Sequence, residues 1–183
     1  SENSESTSLS FYTSHNETLK ESLTVSPEGY FKKPNQPLAI IGTSYNNYSP
    51  TAGDIVPFDY VEVNRGSHYD TTNYRFVCPI AGDYMCIFHH SKMRWVGDIW
   101  LEKNGSIIKQ LELRASGRNA AGNADWELGT YMFVVTCAAN DQLRWKVGAN
   151  NTSIPVSSGG TTPYLLDGLN HTRYDSTTYY LMG

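Results

Sequence analysis

Four stretches of this chain are apolar on both faces when drawn as extended strands: LAII (Leu38–Ile41), DYMCIF (Asp83–Phe88), TYMFVVTC (Thr130–Cys137) and YYLM (Tyr179–Met182). Successive side chains of a strand point to opposite sides, so a strand in a two-layer sandwich has only one face toward the core. A second apolar face needs a second cover. Around the longest of the four, Leu128, Met132 and Val134 fall on one side and Tyr131, Phe133, Val135 and Cys137 on the other. A chain of 183 residues is short for a single core thick enough to bury both sides, so another copy of the same chain is the simplest expected cover.

Other segments read as strands with one wet face. Leu111 and Leu113 alternate with Gln110, Glu112 and Arg114, and Leu143, Trp145 and Val147 alternate with Arg144 and Lys146. Helical periodicity is hard to find, whereas runs rich in Val, Ile, Phe, Tyr and Trp recur between Gly, Asn, Asp and Pro punctuation. The pattern predicts an all-β sandwich of about ten strands: 38–42, 55–64, around Tyr69, 74–78, 83–91, 98–103, 107–114, 126–138, 142–147 and 177–182.

Charge and hydropathy narrow the function classes. The 14 basic residues are scattered and the net charge is -4, so nucleic acid is not an expected partner. No apolar run approaches the roughly 20 residues that cross a bilayer, and SENSESTSLS lacks the order of a signal peptide, so membrane insertion is not expected. The chain begins without methionine and is expected to be a piece of a longer protein. Cys78, Cys86 and Cys137 have neither disulfide-framework nor zinc spacing and read as small buried hydrophobes.

Connection lengths carry a second inference. From Cys78 onward short and long connections alternate: PIAG, KMRWVG, KNGS, ASGRNAAGNAD, AAND, and then the segment from Gly148 to Ser176. Antiparallel strands reverse direction each time, so all long connections are expected at one pole, joined by TSYNNYSPTAGD, and the tight turns and both ends of the domain at the other.

The segment PFDYVEVNRGSHYDTTNYRFVCPIAGDYMCIF resembles the globular head of complement one-q and its relatives in the tumour-necrosis-factor superfamily. The residues that carry the likeness are Phe58, Asp59, Val61, Asn64, Gly66, Tyr69, Asp70, Phe76, Cys78, Pro79, Gly82 and Tyr84, with the later WLEKNG and TTYYLMG. The likeness covers Pro37 to Gly183 and is weaker in its second half, where the segment 148–176 is longer than the family usually has. It implies a ten-stranded jelly roll that forms a homotrimer. In that family the sheet around the threefold axis uses the first and last strands and those corresponding to DYMCIF and TYMFVVTC, the same strands that the sequence makes apolar on both faces.

Residues 1–36 are expected to be a separate N-terminal segment. LSFYTSHNETLKESLTVSPEGYFKKPNQP resembles the stem repeat of bacteriophage tail fibres, which leads through Lys-Pro-Asn-Gln-Pro into a complement-like head. Such a segment is short and polar because three chains share it. SENSEST alone would suit a disordered leader, but Leu9, Phe11, Leu19, Leu23, Val25, Tyr30 and Phe31 are too many apolar residues for one.

Catalysis has no positive support. His89 and His90 are neighbours on a strand and point to opposite faces, which rules out their joint use at one metal. His68 and Asp70 fall in a turn, where structural hydrogen bonding is the stronger reading. No serine sits in a nucleophile elbow and no glycine-rich loop precedes a helix. A pair of carboxylates for glycan hydrolysis cannot be nominated. Calcium, which some complement-type heads bind, is left unassigned because no run has the ligand spacing of a loop site; no cofactor is expected. Sequons begin at Asn16, Asn47, Asn104, Asn150, Asn151 and Asn170 and matter only on a eukaryotic secretory route.

Binding is expected at the long-loop pole, through Tyr45, Tyr48, Arg94, Trp95, Arg118, Asn123, Tyr164, Asp167, His171 and Arg173. Aromatic faces beside Asn, Asp and Arg suit saccharides, whose ring faces stack while their hydroxyls need paired donors and acceptors. The alternative place for Trp95 or Trp126 is capping the sandwich core. The leading expectation is the receptor-binding head of a phage tail fibre in the virion, a homotrimer recognising a host cell-surface glycan and joined to other tail proteins through preceding sequence. The alternatives are a secreted, extracellular complement-like lectin or signalling module that binds a protein receptor, and a purely structural virion trimerisation head.

Overall fold

The computed structural model describes residues 7–15, 18–44, 51–90, 95–113, 129–148, 152–153 and 176–182. The chain divides into two compact units, Ser1–Gln36 and Pro37–Gly183.

The first unit is one antiparallel sheet of β1 (Leu9–His15), β2 (Thr18–Val25) and β3 (Phe31–Lys32), with β2 in the middle. The Pro-Glu-Gly turn between β2 and β3 closes because Gly29 takes φ +85° and its N–H donates to Ser26 O at 2.8 Å. Leu9 lies opposite Val25, and Val25 opposite Phe31, with Phe11 opposite Leu23, so one face is apolar. Ser10, Thr24 and Lys32 form the matching row of the other face. There the Ser10 and Thr24 hydroxyls donate to the Glu21 carboxylate and hold it below the usual carboxylate range. Leu9 is 58% exposed and Phe31 73%. β3 adds only two residues, so this sheet is little more than a two-stranded hairpin, which is marginal on its own in water.

The second unit is a jelly-roll sandwich of eleven described strands: β4 (Leu38–Gly42), β5 (Tyr60–Arg65), β6 (Tyr69–Asp70), β7 (Arg75–Val77), β8 (Gly82–His90), β9 (Trp95–Lys103), β10 (Ser106–Leu113), β11 (Gly129–Cys137), β12 (Gln142–Val147), β13 (Thr152–Ser153) and β14 (Ser176–Leu181). One sheet has the order β11-β8-β14-β4-β5; the other runs β10-β9-β12-β7-β6, with β13 pairing β9. Every described regular element is a strand, as expected for an all-β chain.

Aromatic side chains fill the space between the sheets. The Phe76 and Tyr179 rings stack at 5.0 Å, and Phe88 meets Trp145 edge-on at 5.1 Å and Phe58 at 5.9 Å. The buried Trp145 indole N–H donates to Thr177 Oγ1 at 2.7 Å, and that hydroxyl donates to Ile87 O at 2.9 Å. One polar chain thus crosses the core and links β12 to β14 and β8 with no donor stranded. Cys78, Cys86 and Cys137 are free and buried, and burial pushes their thiols up, so they pack as hydrophobes.

Two sequence expectations need correction, and one strand was missed. The strand expected over 55–64 is broken. Ile55 makes only an isolated bridge to Lys146, and pairing resumes at Tyr60. Pro57 has no N–H for a ladder, and Val56 and Phe58 turn into the core. Tyr74, expected to start a strand, instead has φ +51°, and β7 begins at Arg75. The short β13, which pairs Thr152 with Val96 and Ser153 with Trp95, was not expected. Expected strand residues Ser91, Arg114 and 126–128 lie outside the described residues.

Tight turns gather at one end. Asn104 (φ +50°) and Gly105 (φ +84°) close the β9–β10 hairpin as the Asn-Gly pair predicts. The Asn104 amide donates to Asp141 Oδ1 at 2.6 Å and its oxygen accepts from Gln142 N–H at 2.8 Å, which ties this hairpin to the β11–β12 turn. Pro37 O accepts from Leu181 N–H at the same end, where Tyr180 pairs with Leu38.

Candidate functional site

Two surfaces of the second unit are set up by the strand pairing: the outward face of the β11-β8-β14-β4-β5 sheet and the end opposite the tight turns. The four stretches that are apolar on both faces all fall in this one sheet, as β4, β8, β11 and β14. Their inward residues, including Ile41, Tyr84, Cys86, Phe88, Val135 and Tyr179, are buried.

The outward residues line up in register across strands. Met132 is opposite Ile87, Ile87 opposite Thr178, Thr178 opposite Ile40 and Ile40 opposite Val63. In the next outward row Val134, Met85, Tyr180 and Leu38 follow one another in the same way. Met132 is 63% exposed and Val134 52%, while Met85, Ile87, Ile40 and Leu38 are half-buried. Polar residues bound these rows on both sides. His89 Nδ1 shares a 2.7 Å hydrogen bond with Thr130 Oγ1, and Thr136 Oγ1 donates to Asp83 Oδ1 at 2.6 Å. An apolar centre with a polar rim is the anatomy of an interface between protein chains.

At the other end, the strand termini flanking the long connections lie together. In one sheet Gly42 pairs with Ser176, Ser176 with His89 and His90 with Gly129; in the other Gly97 pairs with Leu113 and Ile99 with Val147. The Trp145–Thr177–Ile87 chain joins the two sheets near this end, so both present their loop-bearing termini on the same side. Of the residues expected to bind a ligand, Tyr45, Tyr48, Arg94, Arg118, Asn123, Tyr164, Asp167, His171 and Arg173 lie outside the described residues. Trp95 opens β9 and pairs with Ser153, and its side chain lies outside the description.

Where β12 leads toward the last of these connections, Gly148 is buried, and its N–H donates to Asp98 O at 2.6 Å. A Cβ there would lie 2.4 Å from Asp98 Cβ and 2.7 Å from Trp100 Cε2, so no side chain fits without moving the β9 backbone. Gly148→Ala is expected to lower stability by about 2 kcal/mol by this overpacking, read as a fall in the denaturant midpoint with an unchanged slope.

The outward side of the other sheet holds a cleft with no counterpart in the sequence pattern. It measures about 510 Å³ and is lined by Asp54, Ile55, Pro57, Thr72, Asn73, Tyr74 and Arg144. It exists because β12 changes partners along one edge. β7 pairs with Gln142 and Leu143, while the segment Gly53–Val56 takes over at Trp145 and Val147. Arg144 sits between the two and alternates with buried Leu143 and Trp145, which turns its side chain outward.

Glu102 is buried and accepts from Arg144 Nε at 2.5 Å, with Lys146 Nζ 3.6 Å from its other oxygen. The Asp54 carboxylate accepts from the Thr51 N–H and hydroxyl. Asp70 anchors the turn through the N–H groups of Thr72 and Asn73 and the Asn73 amide, and these donors, with the side-chain one strongest, hold its carboxyl below the usual range. Tyr74 follows in the left-handed region, which costs a bulky residue about 1–2 kcal/mol. The signal for this in the sequence is only that Asn73 is followed by an aromatic residue where a turn would favour glycine.

His68 and Asp70, weighed as a base pair, have separate structural roles. His68 packs edge-on to Phe76 at 6.3 Å, and burial lowers its imidazole, while Asp70 holds the turn and pairs with Arg75 at 3.4 Å. Among the described residues no group of His, Cys, Asp and Glu is arranged to hold a metal ion.

Comparison with known proteins agrees with this architecture. Residues 40–120 match the C1q domain family model. Caprin-2 of Danio rerio is 28% identical over 98 residues, which are 53% of this chain and 10% of that protein. Among solved structures, the globular domain of zebrafish complement 1qA superposes with a TM-score of 0.52 at 12% identity, over 81% of this chain and 98% of that one. The Eiger TNF of S. frugiperda superposes with a TM-score of 0.55 at 10% identity, over 81% and 94%. The fold is the C1q/TNF-like jelly roll.

Proposed function

We propose that this chain is the receptor-binding head of a phage tail fibre, a homotrimer that recognises a host cell-surface saccharide through the loops at the end opposite its tight turns. The observation that carries the assembly is the pair of uncovered apolar faces, one in each unit. The Met132 and Val134 rows of the β11-β8-β14-β4-β5 sheet need a partner surface, and so does the Leu9, Phe11, Leu23, Val25 and Phe31 face of the N-terminal sheet. Copies of the same chain supply both at once. The C1q/TNF-like fold and the likeness of residues 9–37 to a fibre stem support the same reading. In this reading residues 1–36 are the stem and 37–183 the head, carried on the virion and joined to other tail proteins through preceding sequence.

Recognition is assigned to the long connections because the strand ends that carry them are gathered at one end of a rigid sandwich. Three copies of a weak saccharide site reach useful avidity on a repetitive surface. No reaction is part of this reading.

The test is flow cytometry of labelled protein on bacterial strains, with and without stripping of surface polysaccharide. Saturable binding to one strain, lost on stripping and weakened about tenfold or more by Trp95→Ala, is the expected result. Binding that survives stripping but not protease treatment of the cells would replace the saccharide by a protein receptor. That is the complement-like reading, and the C1q match at residues 40–120 favours it as the second choice. Adsorption unchanged by Trp95→Ala and Tyr164→Ala together would leave a structural head.

A further inference from the structure

We infer that the cleft between the Asp54–Pro57 segment and the Thr72–Tyr74 turn is a separate binding site for a neutral hexopyranose, on the flank of the head. Apart from Asp54, the last residue of the 43–54 connection, its lining comes from the segment that follows, the turn before β7 and the outward face of β12, and it includes none of the residues of the distal-loop reading.

Four features of the cleft carry the assignment. Its volume, about 510 Å³, is that of a small-molecule site. Its lining pairs ring surfaces, Tyr74 and Pro57, with short polar groups, Thr72 and Asn73, and with one carboxylate, Asp54, and one guanidinium, Arg144. A pyranose presents the complement: an apolar C–H face for the rings and vicinal hydroxyls that both donate and accept.

The charge balance selects neutral sugars. Arg144 and Lys146 share the single buried Glu102 carboxylate and Asp54 supplies the second negative charge, so these four formal charges balance, while Arg144 engages Glu102 through Nε and can offer a terminal N–H to a hydroxyl. Asp54, across the lining, would repel a ligand carboxylate. Finally, Tyr74 is held at φ +51° by the Asp70-anchored turn. The turn thereby fixes the backbone position from which Tyr74 lines the cleft. The cleft also lies on the sheet away from the Met132 and Val134 rows, so assembly through those rows leaves it in solvent.

The test is saturation-transfer NMR of the full chain with the methyl glycosides of glucose, mannose and galactose, and with methyl glucuronide as the anionic comparison. At least one neutral glycoside is expected to bind with a Kd in the millimolar range, on the order of 1 mM. Tyr74→Gly, which removes the ring and suits the positive φ, should weaken it at least about tenfold with the circular dichroism of the sandwich unchanged. Thr72→Tyr, on an exposed rim position, should block the cleft without touching the core. Ile107→Glu, an exposed position on β10, two strands away from β12, should leave the signal intact. Absence of transfer from all three neutral glycosides, a signal that survives both cleft substitutions, or one lost with Ile107→Glu would overturn the site. Equal or tighter binding of the glucuronide would overturn its neutral specificity.

Discussion

Met132→Glu combined with Val134→Glu is expected to convert the assembly into monomers, with sedimenting mass falling from three chains to one while the circular dichroism of the sandwich is unchanged. Both side chains are largely exposed in the single chain, so the substitutions cost the isolated fold little. In an assembly built on this sheet they would place two unpaired carboxylates per subunit into a dry interface. Each costs several kcal/mol when buried without a counter-charge, and the adjacent outward residues of the same sheet, Ile87, Met85, Thr178 and Tyr180, supply none. Ile107→Glu is the control. Ile107 is comparably exposed but lies on β10 of the other sheet, so the trimer should persist. A wild-type chain that sediments as a monomer, or a double variant that stays trimeric, would remove this sheet from the interface.

Trp145→Ala should produce the largest loss of stability of any single core substitution considered, about 3–5 kcal/mol, read as a shift of the urea midpoint. The indole is buried between the sheets, touches Phe88 at 5.1 Å and Phe133 at 6.5 Å, and donates to Thr177. Its removal leaves a cavity that two hydrogen-bonded sheets cannot collapse to fill. Thr177→Val separates the packing from the polar contribution. It keeps the volume but strands the indole N–H, and a loss of about 1–3 kcal/mol is expected. If Thr177→Val were neutral, the hydroxyl chain to Ile87 O would be incidental to the joining of the sheets.

Much of this architecture was legible because it depends on local rules. The Asn104-Gly105 turn follows from two residues that tolerate positive φ. The alternation of Leu143, Trp145 and Val147 with Arg144 and Lys146 predicts which side of β12 is buried, and the structure buries that side. The strand ends that carry the long connections fall at one end because antiparallel strands leave no choice of direction. The break at Ile55–Tyr60 was missed for the opposite reason. Val56, Phe58 and Val61 look like a continuous strand, and only the competition for the edge of β12 shows that Ile55 pairs there while Tyr60 pairs with β4.

The candidate binding residues divide in the same way. Those at the loop end rest on composition and on which connections are long, neither of which specifies a side-chain position. The cleft residues were invisible because Asp54, Tyr74 and Arg144 lie far apart in sequence and meet only through the change of partner along β12.

The all-β class, the division of strands into one-faced and two-faced, and the need for a second cover over the latter are written in the residues alone. Those properties follow from a side-chain period of two and from the cost of leaving apolar surface in water. Folding in three dimensions set the four two-faced strands in one sheet with their outward rows in register, and it opened a cleft on the opposite sheet. Strand order and edge competition arise from hydrogen bonding between segments distant in the chain, which no local pattern encodes.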